Sequence, residues 1–279
     1  MAAGNGSDVV MVDEPTVGPF GLSGTYRFFR QLCNSPGLTP CFSLDMPEAP
    51  PIHPPVAALF DMDGVLVDNI DFHVNAWLQF AQDHGRPLTK DQYLENINGR
   101  VSADAMAYVF GRPLPPDELA AMTEEKESTY RNLYGPYLQP APGLRAFLDV
   151  LKAAGVRLAV GTSAPLSNVH FTLDGLKLRH YFDAVVDATM VSHGKPDPQI
   201  YLKAAECVGV EPGRCVVFED AFAGIEAGMR AGMKVIAVAT THTRDELTHT
   251  GASLIIADFT ELTLDDVRNL VSGVGQPST

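Results

Sequence analysis

Residues 56–60, VAALF, form a short apolar run that stops at two acids one residue apart, Asp61 and Asp63, with Gly64 directly behind. A run apolar at every position reads as a strand buried on both faces of a parallel sheet. In open α/β sheets, ligands bind at the carboxyl ends of such strands. Two carboxylates placed there repel one another and are costly to desolvate, so a cation or a reaction has to justify them. The competing reading is an ordinary strand-to-loop turn, since Asp and Gly are common turn residues.

Five further apolar runs follow at 156–161, 184–186, 215–218, 234–238 and 253–256, and helix-like segments at 143–154, 166–176, 197–208 and 221–231 separate most of them. That alternation predicts a doubly wound parallel sheet of the α/β class with helices on both faces. The gap between the first two runs is too long for one crossover. Residues 69–138 read instead as helices: IDFHVNAWLQFAQDHG, TKDQYLENI, ADAMAYVFG and PDELAAMTEEKESTYRNLY. The first has apolar residues at Ile70, Phe72, Val74, Trp77, Leu78 and Phe80 and ends at Gly85. Lys126, among Glu124, Glu125 and Glu127, reads as part of a solvated ion-paired face.

Composition narrows the function. The net charge of −14 argues against non-specific binding to nucleic acid or to an anionic membrane. No apolar run is long enough to span a bilayer. Cys33, Cys41, Cys207 and Cys215 include no CxxC pair, and reduced thiols in a cytoplasmic protein are the expectation. Residues 1–54 are rich in Gly, Pro and Ser, and 47–55 (PEAPPIHPP) reads as a stiff linker. This extension is expected to be poorly ordered, or translated from an upstream start. Residues 1–20 lack the basic start and apolar stretch of a signal peptide.

Three more fragments supply what the first lacks. LAVGTSAP (158–165) ends a run in the hydroxyls Thr162 and Ser163, HGKPDP (193–198) sets Lys195 just before two prolines, and CVVFEDAFAGIEAGMRAGM (215–233) ends a run in Glu219 and Asp220. Each has a plain structural reading: a helix cap, a surface charge, a solvated helix start. In this order, over roughly 55–264, the four fragments resemble the haloacid dehalogenase superfamily of aspartate-nucleophile phosphotransferases. The resemblance implies a Rossmann-like core over 55–68 and 139–279, with 69–138 inserted as a small helical cap domain that closes the site against water.

The resemblance also implies roles. Asp61 is the nucleophile and forms an aspartyl-phosphate, Asp63 is the general acid–base, Thr162 donates its hydroxyl to a phosphoryl oxygen beside the Ser163 backbone N–H, and Lys195 offsets the gathered negative charge. Gly64 permits close approach of the phosphate. Mg²⁺ is implied as cofactor, on Asp61, the Asp63 carbonyl, Asp220 and Glu219, with direct contact by Glu219 left open. Within the superfamily the likeness is closest to the β-phosphoglucomutase-like group, whose His and Trp after the first motif stand here as His73 and Trp77. In the mutase that His couples cap closure to the acid–base aspartate; helix packing explains Trp77 equally well.

A mutase must also grip a second phosphate. Where that group has a Lys-Asn pair this chain has Pro165 and Leu166, and the cap arginine is replaced by Ala103, with Arg100 three residues earlier as the substitute. The expectation is therefore a phosphatase of a small phosphorylated metabolite such as a sugar phosphate, with a sugar-phosphate mutase as the alternative. Pyrophosphate and nucleotide substrates stay open, and a non-catalytic phospho-ligand sensor is the reading from another class. A monomer or weak homodimer is expected.

Overall fold

The structure, a computed structural model, describes residues 55–272; the extension 1–54, with Cys33 and Cys41, lies outside them. Cys207 is an exposed and Cys215 a buried free thiol.

Each apolar run becomes a strand, to within one residue at either end. β1 (Ala57–Phe60), β2 (Arg157–Gly161), β3 (Ala184–Val186), β4 (Cys215–Glu219), β5 (Lys234–Val238) and β6 (Leu254–Ile256) pair in parallel in the order β3-β2-β1-β4-β5-β6. Side chains alternate across this sheet. Ala58, Phe60, Val160, Phe218 and Ile236 join one apolar cluster, while Ala57, Leu59, Ala159, Val217 and Val235 join another on the opposite face. Both faces are covered, which is why the runs are apolar throughout.

The chain leaves β1 into four helices, α1 (Ile70–Asp83), α2 (Lys90–Asn96), α3 (Ser102–Phe110) and α4 (Pro116–Tyr134). These are the inserted helical cap. Thr89 and Gln92 close a reciprocal capping box at the start of α2. Ile70, Val74, Trp77, Phe80, Tyr93, Ile97 and Met106 form the cap's own apolar cluster. The far end of α4 does not share it: Tyr130 and Tyr134, with Ala76 of α1, pack into the sheet's cluster.

The chain returns to the sheet through α5 (Leu144–Ala153), then continues with α6 (Leu166–Gly175), α7 (Gln199–Val208), α8 (Phe222–Arg230), α9 (Arg244–Leu247) and α10 (Leu264–Ser272). Leu144, Phe147, Leu148 and Leu151 of α5 repeat at helical spacing and bury against the Phe60 face. Ile200, Tyr201, Ala204 and Ala205 of α7 do the same on the opposite face. Among the described residues no helix is long and apolar enough to cross a membrane.

Strand order reverses at β1, which lies between β2 and β4, so the crevice between the ends of β1 and β4 is the place where such sheets bind ligands. Those two ends are locked together. Phe60 and Phe218 stack with ring centroids 4.5 Å apart and planes within 5°, and the Asp61 N–H donates to the Phe218 carbonyl at 3.0 Å. Burying each ring contributes roughly 1.5–3 kcal/mol. Packing energy thus holds the acids that follow.

Candidate active site

β1 delivers Asp61 to the crevice and β4 delivers Glu219 and Asp220, all three buried. The turn after Asp61 is tied by Asn69, a buried residue. Its side-chain oxygen accepts from the Gly64 N–H at 3.0 Å and its amide donates to Asp63 Oδ1 at 2.6 Å. Gly64 has φ +78°, and a Cβ there would collide with the Asp220 carboxylate. Only glycine fits, on conformational and steric grounds alike.

Lys195 sits beneath these acids, 2% exposed. Its ammonium lies 2.8 Å from Asp61 Oδ1 and donates to Glu219 Oε1 at 2.5 Å, above the Tyr201 ring. Glu219 is fully engaged: Oε1 also accepts from the Tyr201 hydroxyl at 2.7 Å, and Oε2 accepts from the backbone N–H groups of Asp220 and Ala221 at 3.0 and 3.1 Å. Asp220 Oδ2 accepts from the Thr241 hydroxyl, and the Thr240 hydroxyl donates to the Gly64 carbonyl at 2.5 Å.

Charge does not balance here. Burial pushes Asp61 up to about 7, with Lys195 pulling it down and Glu219 adding to the rise. Burial next to Glu219 and Asp61 pushes Asp220 well above the usual carboxylate range. Burial works against the Lys195 ammonium, yet Asp61 and Glu219 outweigh it and hold the group above its usual value. Asp63 moves the other way: burial is outweighed by His73, Asn69 and Lys126, so it lies below its ordinary value.

Three buried carboxylates facing one ammonium leave surplus negative charge. One oxygen from each of Asp61, Glu219 and Asp220 lies within 4.8 Å of the others, and Asp61 Oδ1 is buried with no aligned hydrogen-bond donor, Lys195 being ion-paired to it out of line. With Glu219 already engaged, the hard carboxylate oxygens of Asp61 and Asp220 beside it fit a divalent cation such as Mg²⁺.

A cavity of about 70 Å³ opens over this cluster, lined by Asp61, Asp63, His73, Thr162, Lys195 and Asp220 among others. The structure thus brings together the residues expected from four separate fragments. The Thr162 oxygen accepts from the Ala164 N–H at 3.0 Å, which leaves its hydroxyl hydrogen free to donate.

A sequence profile of haloacid dehalogenase-like hydrolases matches residues 58–238, from β1 to the end of β5. The chain belongs to the haloacid dehalogenase-like hydrolase family. It is 33% identical over 180 residues to a phosphorylated carbohydrates phosphatase of Thermotoga maritima, covering 64% of this chain and 83% of that protein. It is 38% identical over 186 residues to a fructose-1-phosphate phosphatase of Escherichia coli, covering 64% and 94%. The crystal structure of a β-phosphoglucomutase from Clostridium difficile is similar with a TM-score of 0.69 at 25% identity, covering 78% of this chain and 98% of that one. The protein is an enzyme of the β-phosphoglucomutase-like group within this family.

On the cap side of this haloacid dehalogenase-like site, one expectation is corrected. Lys126 is not on a solvated face; it is 2% exposed. It lies 3.0 Å from His73 Nδ1 and donates to Glu127 Oε1 at 2.9 Å, above the Trp77 ring at 4.9 Å. His73 Nε2 in turn lies 3.4 Å from Asp63 Oδ1, and its ring stacks on Tyr130 at 3.7 Å. Glu127 Oε2 accepts from the Asn168 amide at 2.6 Å, which links cap helix α4 to core helix α6. Two of the four consecutive charges at 124–127, Lys126 and Glu127, turn inward, and the partners that hold them, His73 and Asn168, are 53 and 41 residues away, so local pattern hid them.

Ser163 and Arg100 also take specific places. The Ser163 hydroxyl donates across the site to the Gly99 carbonyl at 3.1 Å, so its side chain serves the cap loop. Arg100 is exposed and lies outside the cavity over Asp61; it lines an adjoining cavity of about 330 Å³ with Phe222 and His242. Asn69, Asn98, Tyr201 and Thr241 were missed from sequence, for none carries a local signal that separates it from ordinary turn, core or cap residues.

Proposed function

We propose that this protein is a Mg²⁺-dependent phosphatase that hydrolyses a small phosphorylated sugar through a covalent phosphate on Asp61. The observation that carries this reading is the reactive cavity itself. Asp61 and Asp63 face it together, and Lys195, its one lysine or arginine among the described residues, is spent on Asp61 and Glu219. The adjoining cavity adds a single guanidinium, Arg100, beside Glu95 and Glu226, which is a poor grip for a second phosphate.

Asp61 attacks phosphorus as the bond to the leaving oxygen breaks, and Asp63 delivers a proton to that oxygen. A dianionic substrate beside Asp63 opposes its ionisation, so binding itself favours the protonated form needed for this step. In the second step Asp63 takes a proton from the water that attacks the Asp61 phosphate, a role its lowered resting value suits. Thr162 donates to a phosphoryl oxygen, and His73, held by Lys126, keeps Asp63 in place. Bound on Asp61 and Asp220 with the Asp63 carbonyl, Mg²⁺ would supply the positive charge that lets one anion attack another. Glu219 acts as the anchor of Lys195, since four protein donors already occupy its oxygens.

The experiment is phosphate release with Mg²⁺ across a panel of sugar monophosphates, beside a coupled assay for glucose 6-phosphate formed from β-glucose 1-phosphate. Phosphate release that Asp61→Asn abolishes, without isomerisation, supports the phosphatase. Efficient isomerisation dependent on a bisphosphate primer would establish the mutase instead, and binding without turnover would establish a sensor.

A further inference from the structure

The cavity over Asp61 is too small for a whole sugar phosphate. A cavity needs roughly 10–15 Å³ by this measure to hold one water, so about 70 Å³ takes a group the size of a phosphoryl and its leaving oxygen. The body of the alcohol has to lie elsewhere. The adjoining cavity of about 330 Å³ shares two lining residues with the first, Asn98 and Ala221. It falls within the size range of pockets that take whole small ligands. At the seam, Gly99 of the cap loop passes so close to the core that an added Cβ would sit 3.2 Å from the Ala221 Cβ.

Two observations point to an occupant. Asn98 Nδ2 is buried with no hydrogen-bond partner, while Asn98 Oδ1 accepts from the Tyr93 hydroxyl at 3.2 Å. An unpaired buried amide donor at the junction of two cavities is costly unless a ligand oxygen completes it. Beyond the junction, Phe222 stacks on His242 with ring centroids 3.9 Å apart and planes within 20°, and Phe222 keeps 45% of its surface exposed. These rings give the second cavity a flat, partly apolar wall. Its charged side chains are Arg100, Glu95 and Glu226, the last already paired with Arg230. One guanidinium beside one unpaired carboxylate leaves no net positive charge to favour a second phosphate.

We infer that this second cavity is the leaving-group subsite: an uncharged, hydroxylated ring packs against Phe222 and His242 while one of its oxygens accepts from Asn98 Nδ2. The enzyme is thereby selective for monophosphates of ring-bearing polyols over bisphosphates and over small phosphates with no ring. This inference rests on the phosphatase reading and names its substrate class more closely.

Two probes separate the subsite from the chemistry. Acetyl phosphate has no group that reaches past the seam, whereas glucose 6-phosphate and fructose 1-phosphate each carry a hydroxylated body. For Asn98→Ala and Phe222→Ala, the ratio of kcat/KM on the preferred sugar monophosphate to that on acetyl phosphate should fall about tenfold, the size of one lost hydrogen bond or ring contact. Asn98→Asp, which replaces the donor by an acceptor, should fall at least as far. Fructose 1,6-bisphosphate should be a poorer substrate than the monophosphates.

Calorimetric binding to the Asp61→Asn protein gives the same comparison without turnover. The preferred monophosphate should bind more tightly than inorganic phosphate, and Phe222→Ala should erase most of that margin. Ratios that do not change, a bisphosphate that outperforms the monophosphates, or no binding margin over inorganic phosphate would each overturn the subsite. If no sugar monophosphate is hydrolysed in an Asp61-dependent way, the phosphatase reading fails, and the binding margin still decides the subsite.

Discussion

Two lysines are buried to the same degree, each 2% exposed, and they are held by different surroundings. Lys195 lies at the ends of β1 and β4 between Asp61 and Glu219, above a tyrosine ring. Lys126 lies inside the cap between Glu127 and His73, above a tryptophan ring. The first is surrounded by more negative charge than it can neutralise; the second has one carboxylate and a histidine. A buried ammonium needs a partner in either case, but surplus acid makes a centre that attracts further cations, whereas a matched pair makes a fixed post. On the proposed mechanism, that difference separates a place where chemistry occurs from a device that positions it.

The comparison can be broken most severely at the first lysine. Asp61→Asn should remove phosphate release entirely while the melting temperature stays level or rises, since one of three crowded carboxylates is gone. Lys195→Met should cost on the order of 10²–10³-fold in kcat, and roughly 3–5 kcal/mol of stability, because Glu219 and Asp61 lose their counter-ion. Phosphate assay and thermal unfolding of the same samples check both.

At the second lysine the effect should be mainly on stability and on pH. Lys126→Met strands Glu127 and should cost roughly 3–5 kcal/mol in denaturant unfolding. It also removes one of the charges that depress Asp63, so the limb of kcat/KM that needs Asp63 ionised should move to higher pH. Glu127 itself is held below its usual value: burial opposes ionisation, but Lys126, His73 and the hydrogen bonds from Lys126 and Asn168 outweigh it. Its contribution is therefore complete above the unfolded value of about 4.3 and is lost as pH falls through the lower folded value. Glu127→Gln should flatten that acid limb of stability relative to wild type.

A milder test uses the cation. Mg²⁺ at about a hundredfold excess over its dissociation constant should stabilise the fold by roughly 2.7 kcal/mol. Asp220→Asn should remove that shift and Lys126→Met should keep it. Ser163→Ala, which deletes the bond to the Gly99 carbonyl, should have the smallest effect, about 0.5–1.5 kcal/mol. It should appear chiefly in KM if that bond helps seat the cap loop.

The two lysines also mark what a single sequence discloses. Asp61, Thr162 and Asp220 were legible because each stands at or near the end of an unbroken apolar run, and a buried strand with a polar terminus is a local signal. The six strands were legible for the same reason, and the first cap helix through apolar residues at helical spacing that end at Gly85. Lys195 was legible only through the ordered set of four fragments, its local reading being a surface charge. Lys126 stands in a run of charges whose local reading is a solvated helix face, and only tertiary packing against His73 and Trp77 reverses that. Asn98 acquires meaning from the meeting of two cavities, and Asn69 from a turn it ties six residues away. Arg100 was picked out for its charge, and the fold sets it in the outer cavity instead.

Glu219 gives both its oxygens to the protein itself, through Lys195, Tyr201 and two backbone N–H groups. A carboxylate so committed belongs to the frame and has no lone pair waiting for a visitor. The frame is therefore complete before any cation arrives. On the proposed magnesium dependence, such an enzyme would be drained by a chelator and recharged at once with no refolding step, and a cell short of magnesium would hold it as intact, idle stock.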